Sequence, residues 1–372
     1  MSKLLQKRRF LLKVAKNLTL NKGYFTLREF ANEVKLPRST LQDWINRFLE
    51  EKCIAKIENG KGRNPTKFAR IVKLLPTSAC RRIFTTVDGD NVEIFHECRS
   101  IGCIAFCSFA YTCAGGVITK ASRDGLLLRC KSKQGFSGIA IGNFPRSSAG
   151  IEQVKVEDGN VIQRIKCFGG PAFSLTEMMR DAKGVLNLKV LRRGEFIEGE
   201  IVTKALTHVT IAIDDTDTEE EGATFAVALS LLDHLDALDY VEAIGHKVGF
   251  LNPRIRYKTA GNAVSFIELG VQPEKVQAVI KNAIAYVRRE THSDRTGMAI
   301  KIGLEVDARL KKFANEARTR HVTLEEAKKV AKACKVDVIE ISGELGIAGA
   351  VAALGMVDCK PEVLMDPRKK LT

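Results

Sequence analysis

Asp214, Asp215 and Asp217 put three carboxylates into four residues, directly after the apolar run at 209–213. At a strand end such charges repel one another unless a cation or hydrogen-bond donors stand among them. Oxygen clusters of this kind suit Mg²⁺ with bound phosphates. An Asp-rich turn that caps the next helix is the alternative. A second group lies in the loop at 251–263, where Asn252, Lys258, Thr259, Gly261 and Asn262 bring together an ammonium, a hydroxyl, two amides and a small residue. Loops with these groups hold phosphate or a nucleobase; a solvated basic loop has the same composition. Third, Gly346 and Gly349 open an Ala-rich stretch. Free N–H groups at a helix start attract an anion, although close helix–sheet packing calls for the same small residues. No Gly-Lys-Ser/Thr follows, so this is not a Walker A loop.

Cys98, Cys103, Cys107 and Cys113 place four thiols within sixteen residues. Such a set suits zinc or an iron–sulfur cluster. The spacing is not a standard zinc pattern, and the residues between are apolar, so buried structural cysteines fit as well.

The elements that must position these residues follow from periodicity. The C-terminal part, 206–360, alternates strands and helices: a buried strand at 209–213, helices at 224–237, 273–289, 308–317 and 323–333, and strands at 242–247, 263–269 and 336–341. The middle part, 80–205, reads as α+β. It holds a hairpin of 152–156 with 161–167 across Glu-Asp-Gly-Asn, and a turn at Gly169-Gly170-Pro171 that feeds a helix capped at Ser174. Residues 1–76 read as a winged helix-turn-helix. Thr26 and Glu29 form a capping box, the helix at 39–51 buries Leu41, Trp44, Ile45 and Phe48, and strands at 53–57 and 66–71 flank a basic tip. The fold class expected is multidomain α+β, with an α/β kinase-like C-terminal domain.

Charge adds a function class. Residues 1–75 carry 18 Lys and Arg against 6 Asp and Glu, +12 of the chain's +15. A charge needed only for solubility would be spread evenly; this concentration is the footprint of a nucleic-acid-binding module. Arg38, Ser39, Thr40, Gln42 and Asn46 would face a groove, with Lys61 and Arg63 at the wing tip reaching phosphates. A winged helix that binds protein is the alternative. The composition, 45% hydrophobic and 28% charged, is globular rather than disordered. No apolar run approaches the roughly 20 residues that span a bilayer, and ten cysteines without a secretion signal read as reduced and cytoplasmic.

In order and spacing, the Ile213-Asp214-Asp215-Thr216-Asp217 run, the loop at 251–263 continuing into Val-Ser-Phe, and the Gly346–Gly355 segment resemble the kinase-like domain of the archaeal synthetase that installs agmatidine in an isoleucine tRNA. Leu310-Lys311-Lys312-Phe313-Ala314 agrees as well. The acidic run through Phe225, with Ser293-Asp294-Arg295-Thr296-Gly297-Met298-Ala299 and a preceding domain of about 120 residues, is also similar to the eleventh methanogenesis-marker family. The first resemblance implies ATP and Mg²⁺ as cofactors. Asp214, Asp215 and Asp217 would then hold the metal and phosphates, with Lys258 among the catalytic groups. Asn252, Thr259, Gly261 and Asn262 would contact ATP or the activated oxygen, and Gly346 and Gly349 would approach the phosphates. A zinc ribbon, an OB-like region and an agmatine-binding segment are not recognisable, so agmatine transfer is not implied. The function expected is an ATP- and Mg²⁺-dependent enzyme acting on RNA or a nucleotide, tethered to DNA or tRNA by the winged helix. The alternative is a DNA-binding regulator whose C-terminal domain senses a nucleotide.

Overall fold

Residue 79 separates two compact units in the computed structural model, Met1–Ala79 and Cys80–Thr372. The structure describes residues 3–60, 64–70, 80–169, 178–256, 258, 261–360 and 363–367. The wing-tip residues Lys61 and Arg63, the loop residue Thr259 and the turn feeding Ser174 lie outside the described residues.

In the first unit, helix α1 (Lys3–Lys22) buries Leu11, Leu12 and Ala15. Strand β1 (Phe25–Thr26) leads into α2 (Leu27–Val34), whose first turn is closed by the Thr26–Glu29 capping box. A left-handed Lys35 (φ 53°) turns the chain into α3 (Arg38–Glu50). Its apolar residues at i, i+3, i+4 and i+7 (Leu41, Trp44, Ile45, Phe48) pack with Phe25 and Phe30. Strands β2 (Ile54–Glu58) and β3 (Lys67–Arg70) complete a three-stranded antiparallel sheet of order β1-β3-β2.

The second unit is organised by one strand. In chain order it contains β4 (Cys80–Asp88), β5 (Asn91–Cys98), α4 (Ile101–Ala114), β6 (Ile118–Asp124), β7 (Leu127–Lys133), β8 (Gly135–Phe136), β9 (Ala149–Glu157), β10 (Asn160–Phe168), β11 (Val185–Arg193) and β12 (Phe196–Asp214). The β9–β10 turn puts Asp158 and Gly159 at positive φ, as a two-residue hairpin turn demands. The nineteen residues of β12 change neighbours along their length. Residues 196–204 pair with β10 and β11, Ala205 and Leu206 run parallel to β4, and residues 207–214 lie between β14 (Ala263–Val271) and β15 (Gly297–Ile302). Burial follows. The first part alternates buried and half-buried residues, with one face covered, whereas 208–214 is buried on both faces.

Both faces of that last segment are covered by helices. The antiparallel order is β13 (Val241–Phe250), β14, β12, β15, β16 (Asp337–Glu340). On one face, α5 (Thr224–Asp236) and α6 (Val276–Glu290) pack on Ile211, Ile213, Ile267 and Ile300. On the other, α7 (Ala308–Ala317), α8 (Leu324–Ala333) and α9 (Gly346–Gly355) pack on Ala212, Phe266 and Ala299. α9 lies close because its face is Gly and Ala. Buried ion pairs tie this layer to the preceding sheet. The Arg129 guanidinium on β7 donates to Glu93 (2.8 and 2.9 Å) and to Glu268 on β14 (3.1 and 2.8 Å), and His208 on β12 meets Glu268 at 3.1 Å. Among the described residues no helix is long and apolar enough to cross a membrane.

Candidate functional site

β12 ends on Asp214, and the chain turns at once because Asp215 takes a left-handed conformation (φ 56°). That conformation costs a residue with a Cβ about 1–2 kcal/mol, least for Asp and Asn, and needs support from its surroundings. The support comes from the segment entering β15. Thr296 Oγ1 donates to Asp215 O (2.7 Å), His292 N donates to Thr216 O (3.0 Å), and Thr291 Oγ1 donates to Thr216 O (3.3 Å). From α5, Thr224 Oγ1 donates to Asp217 Oδ1 at 2.7 Å and accepts from Thr216 N at 3.2 Å. The acidic turn is therefore held from two sides and does not merely cap a helix.

Asp214 is only 9% exposed. Burial first, and then the charge of Asp215, pushes its carboxyl well above the ordinary carboxylate range. Asp215 is pushed up to about 6, by burial and then by Asp217, with the Arg295 guanidinium opposing. The pair is short of positive charge, the condition under which a bound cation is favourable.

The Gly-rich helix start meets this turn directly. A Cβ on Gly349 would overlap Asp214 Oδ2, and one on Gly346 would strike the backbone at Asp214 O and at Gly297 N. The loop at 251–263 closes the other side. Leu251 N donates to Asn262 O (2.9 Å), Asn262 Nδ2 donates to Asn252 O (2.6 Å), and Asn252 N donates to Ala317 O (3.0 Å). Asn262 itself is left-handed (φ 47°).

Asp214, Asp215, Asp217, Lys258, Asn262 and Gly349 line one cavity of about 470 Å³. Asn252, Gly261 and Gly346 do not line it: Asn252 and Gly346 brace its walls, and among the described residues nothing stands near a Cβ built on Gly261. Other lining residues carry no site signal of their own in the sequence. Ser293, Asp294 and Arg295 come from the run before β15, which enters only through a family likeness. Arg320 and His321 come from the α7–α8 turn, which carries no motif. Arg320 is held by Glu316 and by Glu326 at 2.9 Å. The cavity thus joins an acidic end to cations at Lys258, Arg295 and Arg320, with apolar walls at Leu251, Val322 and Leu345. Among the described residues, no three Asp, Glu, His or Cys side chains stand ready to enclose a metal ion.

The other predicted groups fall on other elements. Arg38, Ser39, Gln42 and Asn46 are exposed on α3 and Thr40 is half-buried, with Gln42 Nε2 donating to Asn46 Oδ1 at 3.1 Å. Cys98 and Cys107 are buried and Cys103 is half-buried, whereas Cys113 is exposed.

Part of the chain is similar to known proteins. Residues 210–343 match the TiaS TCKD domain family. Uncharacterized protein MJ0921 of Methanocaldococcus jannaschii is 35% identical over 218 residues, 57% of this chain and 71% of that protein. The tRNA 2-agmatinylcytidine synthetase TiaS of Pyrococcus horikoshii is 31% identical over 156 residues, 39% of this chain and 35% of that one. A crystal structure of TiaS in complex with its tRNA and ATP is 25% identical over 40% of this chain and 36% of its own, with a TM-score of 0.37. The protein is thus one that carries a domain of the TiaS kinase-like type. It belongs to the family of protein MJ0921, and it spans about a third of the length of the synthetases it matches.

Proposed function

We propose that this chain is an ATP- and Mg²⁺-dependent enzyme that modifies tRNA. In this reading residues 206–360 are the ATP-binding domain, 80–205 a second α+β domain, and 1–76 a winged helix-turn-helix that grips the nucleic acid. One observation carries the reading. Three motifs far apart in the chain line a single cavity whose carboxyls, Asp214 and Asp215, are raised by burial and by neighbouring carboxylates of the same turn.

These residues fit the cofactor. Mg²⁺ keeps waters and phosphate oxygens among its ligands and takes one or two protein carboxylates, so the acidic turn needs no closed cage. Asp214, Asp215 and Asp217 would hold the ion, Lys258, Arg295 and Arg320 the phosphates, and Gly349 lets them approach the start of α9. With Mg²⁺, ATP supplies an electrophilic phosphorus that can activate a substrate oxygen for displacement. Positioning and neutralisation of charge account for most catalysis of phosphoryl transfer, and the residue types here suit both. Asn262 fixes the loop that carries Lys258, and Thr296 fixes the conformation of Asp215. Agmatine is no part of the proposal.

The test is ATP binding and turnover by the full chain with Mg²⁺, with and without bulk tRNA, in the wild type and in Asp214→Asn. Turnover that needs Mg²⁺, rises with tRNA and is lost in the variant is the expected result. Binding without turnover under every condition would leave a nucleotide sensor, and absence of binding would mean that the fold persists without its ligand.

A further inference from the structure

The function proposed above leaves unused a group of four thiols in the sheet that precedes β12. Cys80 opens β4 and Cys98 closes β5, and the two are register partners across the antiparallel pair. Two residues after Cys98, Ser100 Oγ accepts from Cys103 N at 3.1 Å and starts α4. Cys103, Cys107 and Tyr111 then follow at i, i+4 and i+8, one face of that helix. Cys80, Cys98 and Cys107 share one buried core, with Cys103 packed against it. Cys80, Cys98 and Cys107 are 2%, 1% and 1% exposed. Cys103 is half-buried and gives the group an opening.

Two further side chains point the same way. His96 lies on the same strand face as Cys98, two residues before it, and its ring stands edge-on to Tyr111 with centroids 5.8 Å apart. Both residues are 1% exposed, and among the described residues neither imidazole nitrogen nor the Tyr111 hydroxyl has a hydrogen-bond partner. Buried polar groups are nearly always satisfied. Neutral thiols are poor acceptors for such donors, and thiolates are good ones.

We propose that Cys80, Cys98, Cys103 and Cys107 form a four-thiolate site for one thiophilic divalent cation, zinc by preference, which pins α4 to the β4–β5 hairpin. Two strand partners and an i, i+4 pair on one helix face suit a single tetrahedral ion, whose Zn–S bonds of about 2.3 Å put the sulfurs about 3.8 Å apart. Among the described residues these side chains do not enclose a common centre, so binding requires them to turn inward. Each thiol that becomes a ligand gives up its proton, so one zinc releases up to four protons and leaves two negative charges on the site. The first turn of α4 holds no acidic residue, and its positive end faces the group. Cys113, exposed at the far end of the helix, has no part in it.

The test uses the full chain purified under reducing conditions, its metal content, and titration of the metal-free protein with Co²⁺. Zinc near one per chain, with thiolate-to-cobalt charge transfer and strong tetrahedral ligand-field bands, is the expected result. Cys107→Ser should weaken zinc on the order of 100-fold or more, whereas Cys113→Ser and Cys130→Ser, the latter in the same core, should leave it unchanged. The wild-type cobalt spectrum keeps the test open if Cys107→Ser does not fold. Absence of zinc together with absence of cobalt–thiolate bands would overturn the proposal, as would iron with sulfide or an equal loss in Cys113→Ser.

Discussion

Asp215→Asn should make the ligand-free protein more stable at neutral pH while removing a proposed ligand of Mg²⁺. The native carboxyl titrates near 6, against 3.8 for an unperturbed Asp. A carboxyl raised in the folded state binds its proton more tightly there than in the unfolded chain. Stability therefore falls as pH rises from about 3.8 to about 6, and stays at the lower level above that. At 1.36 kcal/mol per unit, the ionised residue costs at most about 3 kcal/mol, and less once solvent screening and Arg295 are counted. Asn carries no charge and tolerates the left-handed conformation of residue 215 as well as Asp does. Removing the charge also relieves Asp214, whose carboxyl is raised in part by its neighbour. Thermal unfolding without divalent ions, followed from pH 4 to 8, should show equal midpoints near pH 4. Above pH 6 the variant should gain about 2–10 °C, taking 2–4 °C per kcal/mol for a domain of this size. Mg²⁺ with ATP should then raise the wild type more than the variant. A variant less stable at pH 7, or a shift that does not vary with pH, would refute the argument that burial and like charge strain this turn.

Glu268→Gln should destabilise the second unit by about 3 kcal/mol at neutral pH, because it leaves the half-buried Arg129 with Glu93 alone. Burial opposes ionisation of Glu268, but Arg129 and His208 outweigh it and hold the carboxyl below its ordinary 4.5. The deficit should therefore be constant above pH 4.5 and narrow as pH falls below it, in chemical unfolding measured across that range. Gly349→Ala should weaken Mg²⁺-ATP binding more than tenfold in calorimetry, since its Cβ would overlap Asp214 Oδ2. Gly355→Ala, which instead meets Leu310 O on the opposite end of α9, should cost stability and leave the ligand alone. In nucleic-acid binding, Arg38→Ala should reduce the slope of log affinity against log salt by about one, and Gln42→Ala should change sequence preference at unchanged slope.

The candidate site was legible where one local segment carries several polar groups that line the cavity. The run from Asp214 to Asp217 and the loop ending at Asn262 show their chemistry in the residue types alone. The cavity's remaining wall was not legible, because Arg320 and His321 reach it through the packing of α7 against α9, and that is set by residues distant in the chain. The hydrogen bond from Thr296 to Asp215 spans 81 positions, and a Thr entering a strand announces nothing of the kind. The helices at 224–236, 308–317 and 324–333 lie where periodicity and caps put them, since each has one apolar face. β12 is the element periodicity described least well. Its first half alternates and its second half is continuously apolar, so one strand reads as two.

That strand also bears on how the site is coupled to the rest of the unit. Asp214 is the last residue of a continuous ladder that begins at Phe196, and its neighbours along the way are β10, β11, β4, β14 and β15. A strand paired on both sides cannot slip by one residue without turning the buried face of 196–203 outward and exchanging the two covered faces of 208–214. The position of the acidic turn is therefore fixed by the middle sheet as much as by the layer that holds the cavity. The Arg129–Glu268–His208 cluster binds the same two layers beside the middle of β12, with Glu268 opposite Thr210 in the ladder. On this argument the α+β region before β12 is part of the scaffold of the site, and cutting the chain near residue 205 would remove the support on which Asp214 rests.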